Sequence, residues 1–136
     1  MNAIGDKMFD WVNYIILANE LIKYKNEESI RSAISRLYYG FFGVLRHYLT
    51  NVKHKHYLKQ KKGNVHKKVF YELYHSDDLT EYELSLLLNK LRSYRNNADY
   101  DEEFDKEHFE DFLTENKENI FSAFHSLKSL KNHPNY

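Results

Sequence analysis

The sequence predicts an all-α protein, an antiparallel bundle of four to five helices. One proline and four glycines interrupt 136 residues, and apolar residues recur at the three- and four-residue intervals of a helix face. No convincing stretch alternates apolar and polar residues as a half-buried strand does. The length suits one domain with one core. We therefore treat 1–136 as a single helical domain and expect 129–136 to be a frayed tail.

Five helical segments follow one another. Their predicted bounds are about 6–24, 27–51, 64–75, 80–98 and from 105 onward. Asn26 and Asp105 are predicted N-caps, because their side chains can accept hydrogen bonds from first-turn N–H groups. Thr80 and Glu83 have the spacing of a capping box for the fourth helix. The short connections predict that neighbouring helices are antiparallel.

The composition excludes several kinds of site. The chain has no cysteine, which rules out disulfides, zinc–thiolate sites, iron–sulfur clusters and thiol nucleophiles. Polar residues such as Asp10, Asn13 and Asn19 interrupt the apolar N-terminal segment, so we expect neither a signal peptide nor a membrane span. We expect a cytoplasmic protein without membrane contact. The net charge of zero gives no overall basicity that would favour nucleic acid.

Residues 53–68 form a basic stretch with seven lysines and no acidic residue. Such a stretch is usually a solvated loop, but it could instead follow an RNA backbone. His54 and His56 are close in sequence, yet the surrounding lysines would repel a divalent cation. We expect no metal site and no cofactor.

The predicted fourth helix contains an unusual arginine. Its apolar stripe consists of Leu84, Leu87, Leu88, Leu91 and Ala98. Arg95 projects into this stripe, where an unpaired cation is costly because a guanidinium does not deprotonate. Asp99, one turn onward, is the local partner. Two interpretations stay open, a buried ion pair or a site for an external anion.

The predicted second helix has a core stripe and a second, distinct face. Its core stripe consists of Ile30, Ile34, Leu37, Phe41, Leu45 and Tyr48. Arg36, Gly40, Gly43 and His47 align on the other face. Each glycine inside a helix costs about 1 kcal/mol relative to alanine. We therefore expect another backbone or a ligand to approach closely there.

Four stretches resemble elements of the HEPN superfamily: SRLYYGFF (35–42), GNVH (63–66), LNKL (88–91) and RNNADY (95–100). The closest similarity is to small prokaryotic HEPN proteins with S-R-x-Y-Y and R-x-x-A-D-Y elements, and it extends over about 30–128. This resemblance implies a helical bundle that dimerises and brings the fourth-helix motifs of two chains into one groove.

The resemblance also implies a function. Many HEPN proteins are metal-independent endoribonucleases of toxin–antitoxin, CRISPR-linked or phage-defence systems, with an R-x(4–6)-H motif whose arginine holds phosphate. Others pair with a nucleotidyltransferase antitoxin that modifies a tyrosine near that motif. This chain has Tyr100, Asp101 and Glu102 where the histidine is expected. A phenol with a pKa of about 10 and a carboxylate are poor substitutes for imidazole near pH 7.

These considerations define the expected site. If the protein is catalytic, the expected residues are Arg95 for phosphate, Tyr100, and His47 as the replacement imidazole. Additional contacts to phosphate or RNA are expected from Arg36, Arg92, Asn96 and Tyr39, and Asp99 is expected to be the structural partner of Arg95. The ordinary interpretation of Arg36 and Tyr39 is a surface arginine and a core tyrosine.

Two functions stay open at this stage. One is an RNA-directed effector that cleaves RNA without metal, through attack of the 2′-hydroxyl. The other is a non-catalytic module that binds a nucleotide or a nucleotidyltransferase partner, with Tyr100 as the modification target. A homodimer is expected in both. The missing histidine favours the second function, whereas the retained Arg95 is compatible with the first.

Overall fold

The computed structural model describes residues 9–60 and 63–131, and at 117, 119, 121 and 123–131 it describes the backbone only. Within this part the chain forms five α-helices and no strand, which confirms the all-α prediction. The helices are α1 (Val12–Ile22), α2 (Glu27–Asn51), α3 (Val65–Tyr74), α4 (Leu79–Tyr100) and α5 (Lys106–Lys131). A short 3-10 helix, His56–Lys59, precedes α3. Residues 6–8 of the first predicted helix and 132–136 of the predicted tail lie outside the described residues.

The central helix is α2, which packs against all four other helices described here. The Tyr48 hydroxyl near the end of α2 donates to Glu81 near the start of α4. Arg31 near the start of α2 donates to the Ala98 carbonyl near the end of α4. These pairs show that α2 and α4 are antiparallel.

The predicted core stripes of α2 and α4 are confirmed. All six stripe residues of α2 are buried, and in α4 four of the five are buried while Leu87 is half-buried. Burying a large apolar side chain contributes about 1.5–3 kcal/mol relative to exposure, so these stripes are the main source of stability for the pair. None of the described helices has the length and apolar character that a membrane crossing requires.

The two glycines of α2 allow α1 to approach closely. A Cβ atom on Gly43 would lie 2.2 Å from Cδ2 of Trp11, and one on Gly40 would lie 2.9 Å from Cγ1 of Ile15. No real Cβ contact is that short, so only glycine fits without rearrangement. The predicted close approach is confirmed, and the neighbour is α1.

The N-caps agree with the sequence in two places and differ in one. Asn26 accepts from the Ser29 N–H at 2.8 Å, and Asp105 accepts from the His108 N–H at 3.0 Å. The capping box at Thr80 was wrong. Asp78 caps α4 instead, accepting from the Glu81 N–H at 3.0 Å.

Glu81 in the first turn of α4 has a tertiary role. Its side chain is buried, accepts from the Tyr48 hydroxyl at 3.0 Å and pairs with Lys53 at 3.2 Å. This contact joins the first turn of α4 to the end of α2, and the helix starts at Leu79. Asp78 is then the residue immediately before the helix.

Arg31 holds the C-terminal end of α4. Its guanidinium donates to the carbonyl oxygens of Ala98, Asp101 and Glu102 at 2.9, 2.6 and 2.9 Å. The last carbonyls of a helix have no partner within the helix, so these bonds satisfy groups that would otherwise need water. As a result α4 continues through Tyr100, slightly beyond its predicted end.

Candidate functional site

Arg95 lies where the sequence predicted, against the apolar side of α4 with little access to solvent. Its side chain is 11% exposed. The guanidinium carbon lies 5.4 Å from the ring centroids of Tyr38 and Tyr39 and 5.6 Å from that of Tyr100. A cation over the face of an aromatic ring is attracted by its quadrupole. These three rings, here called the tyrosine cluster, hold the guanidinium in place.

The polar contacts of Arg95 are loose. Its Nη1 lies 3.7 Å from a carboxylate oxygen of Asp99 and donates to the Tyr100 hydroxyl at 3.4 Å. Asp99 Oδ2 also accepts from Ser35 at 3.3 Å. The Nε of Arg95 is buried and has no hydrogen-bond partner in the described part of the chain. The guanidinium therefore has donors that its neighbours do not satisfy.

A pocket of about 420 Å³ adjoins this arginine. Its lining residues come from α2, α3, α4 and the turn before α3, and none is acidic; they are Tyr38, Asn64, His66, Lys67, Phe70, Leu88, Asn89 and Arg92. We call it the α3–α4 pocket. Tyr38 belongs both to this pocket and to the tyrosine cluster, so the two features share this residue.

Helical spacing explains why these side chains converge. His66 and Phe70 are four residues apart on α3, and so are Leu88 and Arg92 on α4, which places each pair on one helix face. The two faces lie opposite each other because α3 packs against α4. The apolar member of each pair contributes to packing, while His66 and Arg92 line the opening.

His66 is the imidazole of the site. Its Nδ1 lies 2.5 Å from the Tyr38 hydroxyl, and its ring stacks on Phe42 with 4.1 Å between centroids. Burial lowers the pKa of His66 below its ordinary value of 6.5, and the positive charges of Arg92 and Arg95, followed by Arg46, lower it further. The ring is therefore neutral near pH 7.

Tyr38, the partner of His66, is also neutral. Burial raises the pKa of its hydroxyl to about 12, although Arg92 and Arg95 oppose this shift. A neutral phenol can donate or accept, so either ring tautomer of His66 can be held. No described residue hydrogen-bonds to the other ring nitrogen, Nε2.

The structure brings together most of the α4 residues that the sequence selected. Arg95, Asp99 and Tyr100 are in contact, and Tyr39 joins them from α2. Arg92 lies one turn away in the α3–α4 pocket. Asn96 is exposed on α4. Tyr39, which had been interpreted as either a core residue or a site residue, is half-buried with its ring on Arg95.

Arg36 and His47 are not brought to this cluster by the contacts described. The Arg36 guanidinium lies over the Tyr14 ring of α1, 5.0 Å from its centroid. His47 is eight residues beyond Tyr39, about 12 Å along the helix axis at 1.5 Å per residue, and contacts Asn51. Both lie on the helix face that Gly40 and Gly43 open to α1, which explains their separation from Arg95.

Sequence reasoning did not assign a role to His66. Its stretch is part of the resemblance and of the basic stretch 53–68, and no short motif links it to Arg95. The available signal was the four-residue spacing to Phe70, which places an imidazole on the inner face of a short helix. That spacing does not reveal which other helix lies opposite.

The basic stretch 53–68 is partly neutralised within the chain. Lys53 lies 3.2 Å from Glu81, and Lys55 lies 3.7 Å from Glu72. Lys67 instead lines the α3–α4 pocket. Among the side chains that the structure describes, no group of three or more His, Asp or Glu could hold a metal ion.

Comparisons of the chain with protein-family models, with curated proteins and with solved structures gave no match. The resemblance to HEPN proteins therefore stays a prediction. The helical architecture is established by the structure itself.

Proposed function

We propose that this chain is a HEPN-type component of a prokaryotic toxin–antitoxin or phage-defence system, acting in the cytoplasm, that binds RNA or a nucleotide through Arg95 and Tyr100. The observation that supports this most is the unsatisfied guanidinium of Arg95, with its buried Nε and its loose ion pair to Asp99. Leaving such donors unpaired costs free energy. A phosphate oxygen would satisfy them, since phosphate and guanidinium are matched in charge and geometry.

Access to Arg95 is through Tyr100. The Tyr100 side chain is 74% exposed and is held by one long hydrogen bond from Arg95. Turning this side chain outward breaks that bond and the ring contact with Arg95, and it opens the guanidinium to a phosphate. The ring can then stack on a base, which is a common contact in single-stranded nucleic-acid binding.

The proposal includes a homodimer. The exposed Tyr100 ring is at the end of α4, beside the loosely paired Arg95. A second copy packed at this end would bring two such arginines to one groove. Size-exclusion chromatography with light scattering tests this, and the mass of a single chain at all concentrations would contradict it.

RNA cleavage without metal is the catalytic form of the proposal. His66, rather than His47, is the imidazole we assign to proton transfer, because it is neutral and lines the pocket beside Arg92. Its Nε2 would take the 2′-hydroxyl proton as the 2′-oxygen attacks phosphorus. The P–O5′ bond then breaks, the 5′-oxygen takes this proton from protonated His66, and a 2′,3′-cyclic phosphate forms.

The test is incubation of the purified protein with total RNA in EDTA. We expect cleavage by the intact protein, its loss in Arg95→Gln and His66→Asn, and its retention in His47→Asn. Retained activity in Arg95→Gln with unchanged RNA affinity would contradict the proposed role of Arg95. Circular dichroism of each variant verifies that the helices are intact.

A second function is favoured by the exposure of Tyr100. Here the chain is a non-catalytic HEPN module that docks a nucleotidyltransferase, and the Tyr100 oxygen attacks the α-phosphorus of a nucleoside triphosphate. Pyrophosphate leaves, the phenol loses its proton, and a nucleotidyl group remains on Tyr100. Co-expression with a nucleotidyltransferase encoded beside it, followed by mass spectrometry, tests this. A mass increase that persists in Tyr100→Phe would contradict it.

A further inference from the structure

We infer that the α3–α4 pocket binds one unstacked nucleotide, either as a free nucleoside monophosphate or as one residue of a single-stranded RNA. The inference rests on the proposed function and specifies where the base and its phosphate are held. It is based on four properties of the pocket: its charge, its apolar wall, its amide groups and its connection to Arg95.

The charge of the pocket favours a phosphate. Lys67 and Arg92 line it from opposite helices, and none of the lining residues is a carboxylate. Asn64, the residue before α3, makes no side-chain capping bond. The first N–H groups of α3 are thus not capped by Asn64, and the positive end of the helix dipole adds to the field of the two cations.

The remaining lining fits a nucleobase better than a bare anion. Phe70 and Leu88 provide an apolar wall against which a planar ring can pack. Asn64 and Asn89 offer amide groups, each with donors and an acceptor, and such groups can read the edge of a base. The volume of about 420 Å³ is within the range of small-ligand pockets.

Tyr38 connects the pocket to Arg95. Its hydroxyl contacts His66, which lines the pocket, and its ring lies against the Arg95 guanidinium. Under this inference, the neighbouring phosphate of an RNA chain with one nucleotide in the pocket binds Arg95. A free mononucleotide would occupy the pocket alone, without engaging Arg95.

The experiment is titration of the full chain with AMP, GMP, CMP and UMP, with inorganic phosphate and ribose 5-phosphate as comparisons. The His66 ring resonance in proton NMR, assigned by its absence in His66→Gln, reports occupancy of the pocket, and calorimetry gives Kd. We expect the His66 resonance to shift with mononucleotides and the best mononucleotide to bind at least about tenfold more tightly than phosphate.

Arg92→Gln and Lys90→Gln form a matched pair. Each removes one exposed positive charge from α4, but Lys90 lies toward Tyr94, 5.8 Å from its ring, rather than in the pocket. We expect Arg92→Gln to raise the mononucleotide Kd at least about tenfold, because a charge-assisted hydrogen bond is lost. Lys90→Gln should change the Kd less than about twofold.

Three results would overturn the inference. They are an unmoved His66 resonance, equal affinities for phosphate and mononucleotides, and equal effects of Arg92→Gln and Lys90→Gln. A further titration, with a single-stranded oligoribonucleotide, separates the two proposals. If the oligonucleotide binds through Arg95 while mononucleotides leave His66 unmoved, the pocket inference fails and the proposed function stands. If mononucleotides bind and the oligonucleotide binds no better, the pocket inference stands and the RNA function fails.

Discussion

At the residue scale, His66 is half-buried against Phe42 and within hydrogen-bond distance of Tyr38. Its protonated form is disfavoured first by burial and then by the arginines around it, which lower its pKa. A neutral imidazole at physiological pH can accept a proton, which the aspartate and tyrosine that follow Arg95 do poorly. The same environment that suits His66 for this role also makes the fold sensitive to acid.

The pKa of His66 leads to a prediction about stability. Because this pKa is lower in the folded chain than its ordinary 6.5, the unfolded chain binds the proton more readily as the pH falls. The stabilising contribution of neutral His66 is therefore complete above about pH 6.5 and is lost as the pH falls through the folded-state pKa. Urea unfolding from about pH 7.5 to 5 should show a steeper loss in the native chain than in His66→Gln.

The matching control for this prediction is His75→Gln, which removes an exposed histidine just after α3. We expect this variant to lose stability with acid as steeply as the native chain does. Equal slopes for all three proteins would show that His66 protonates with the same pKa in the folded and unfolded chains.

At the element scale, the contact between α1 and α2 depends on the lack of a side chain at Gly40 and Gly43. Gly43→Ala would put a Cβ 2.2 Å from the Trp11 ring. Overpacking of this kind costs about 1–3 kcal/mol, whereas the gain in helix propensity is about 1 kcal/mol. We expect net destabilisation and a shift in the fluorescence of Trp11, the single tryptophan of the chain. In a Trp11→Ala background the clash is gone, so the same substitution should stabilise by about 1 kcal/mol.

A second prediction at this scale concerns the start of α4. Asp78→Ala removes the side chain that accepts from the Glu81 N–H and should lower the free energy of unfolding by about 1 kcal/mol. Thr80→Ala, which alters the residue that the sequence selected as the cap, should change it by less than about 0.5 kcal/mol. Chemical denaturation of both variants measures the difference. A larger effect of Thr80→Ala would support Thr80, rather than Asp78, as the N-cap of α4.

The sequence predicted the helices well because helix formation and burial leave a local periodic pattern. The stripes of α2 and α4, the caps at Asn26 and Asp105 and the close approach at the α2 glycines were all readable within a few residues. The cap of α4 was not, because Asp78 and Thr80 are both preferred N-cap residues and local preference does not decide between them.

The candidate site was predictable only in part, because local spacing does not show which helices pack together. Arg95 and Asp99 are on one helix, one turn apart, so their contact followed from spacing alone. His47 was the expected imidazole, and its distance from Arg95 depends on which face of α2 is opposite α4. Periodicity identifies the faces of a helix but not which helix packs against each face. The role of His66 is therefore visible only in the structure.

At the scale of the whole molecule, a chain with zero net charge relies on local cations to bind a polyanion. Lys67 and Arg92 in the pocket and Arg95 beside it are the cations of the proposed site. If the site engages two phosphates of single-stranded RNA, the plot of log K against log salt should have a slope of about −1.4.

Fluorescence anisotropy with a labelled oligoribonucleotide at several salt concentrations measures this slope. Arg92→Gln should reduce its magnitude by about 0.7, the contribution of one phosphate contact. Lys90→Gln should leave it unchanged. A slope near zero in the native chain would mean that the RNA phosphates are not held by cations.

The hydrogen bonds from Arg31 to the end of α4 affect which substitutions abolish the function of the site. The residue that shapes the last turn beside Arg95 and Tyr100 is 67 positions away from Ala98 in sequence. A genetic screen for loss of the Arg95 function should therefore also recover substitutions of Arg31, although that side chain touches no ligand in the scheme above. Hydrogen exchange would distinguish Arg31 variants from Arg95 variants, since only the Arg31 variants should show faster exchange of the backbone amides of 97–101.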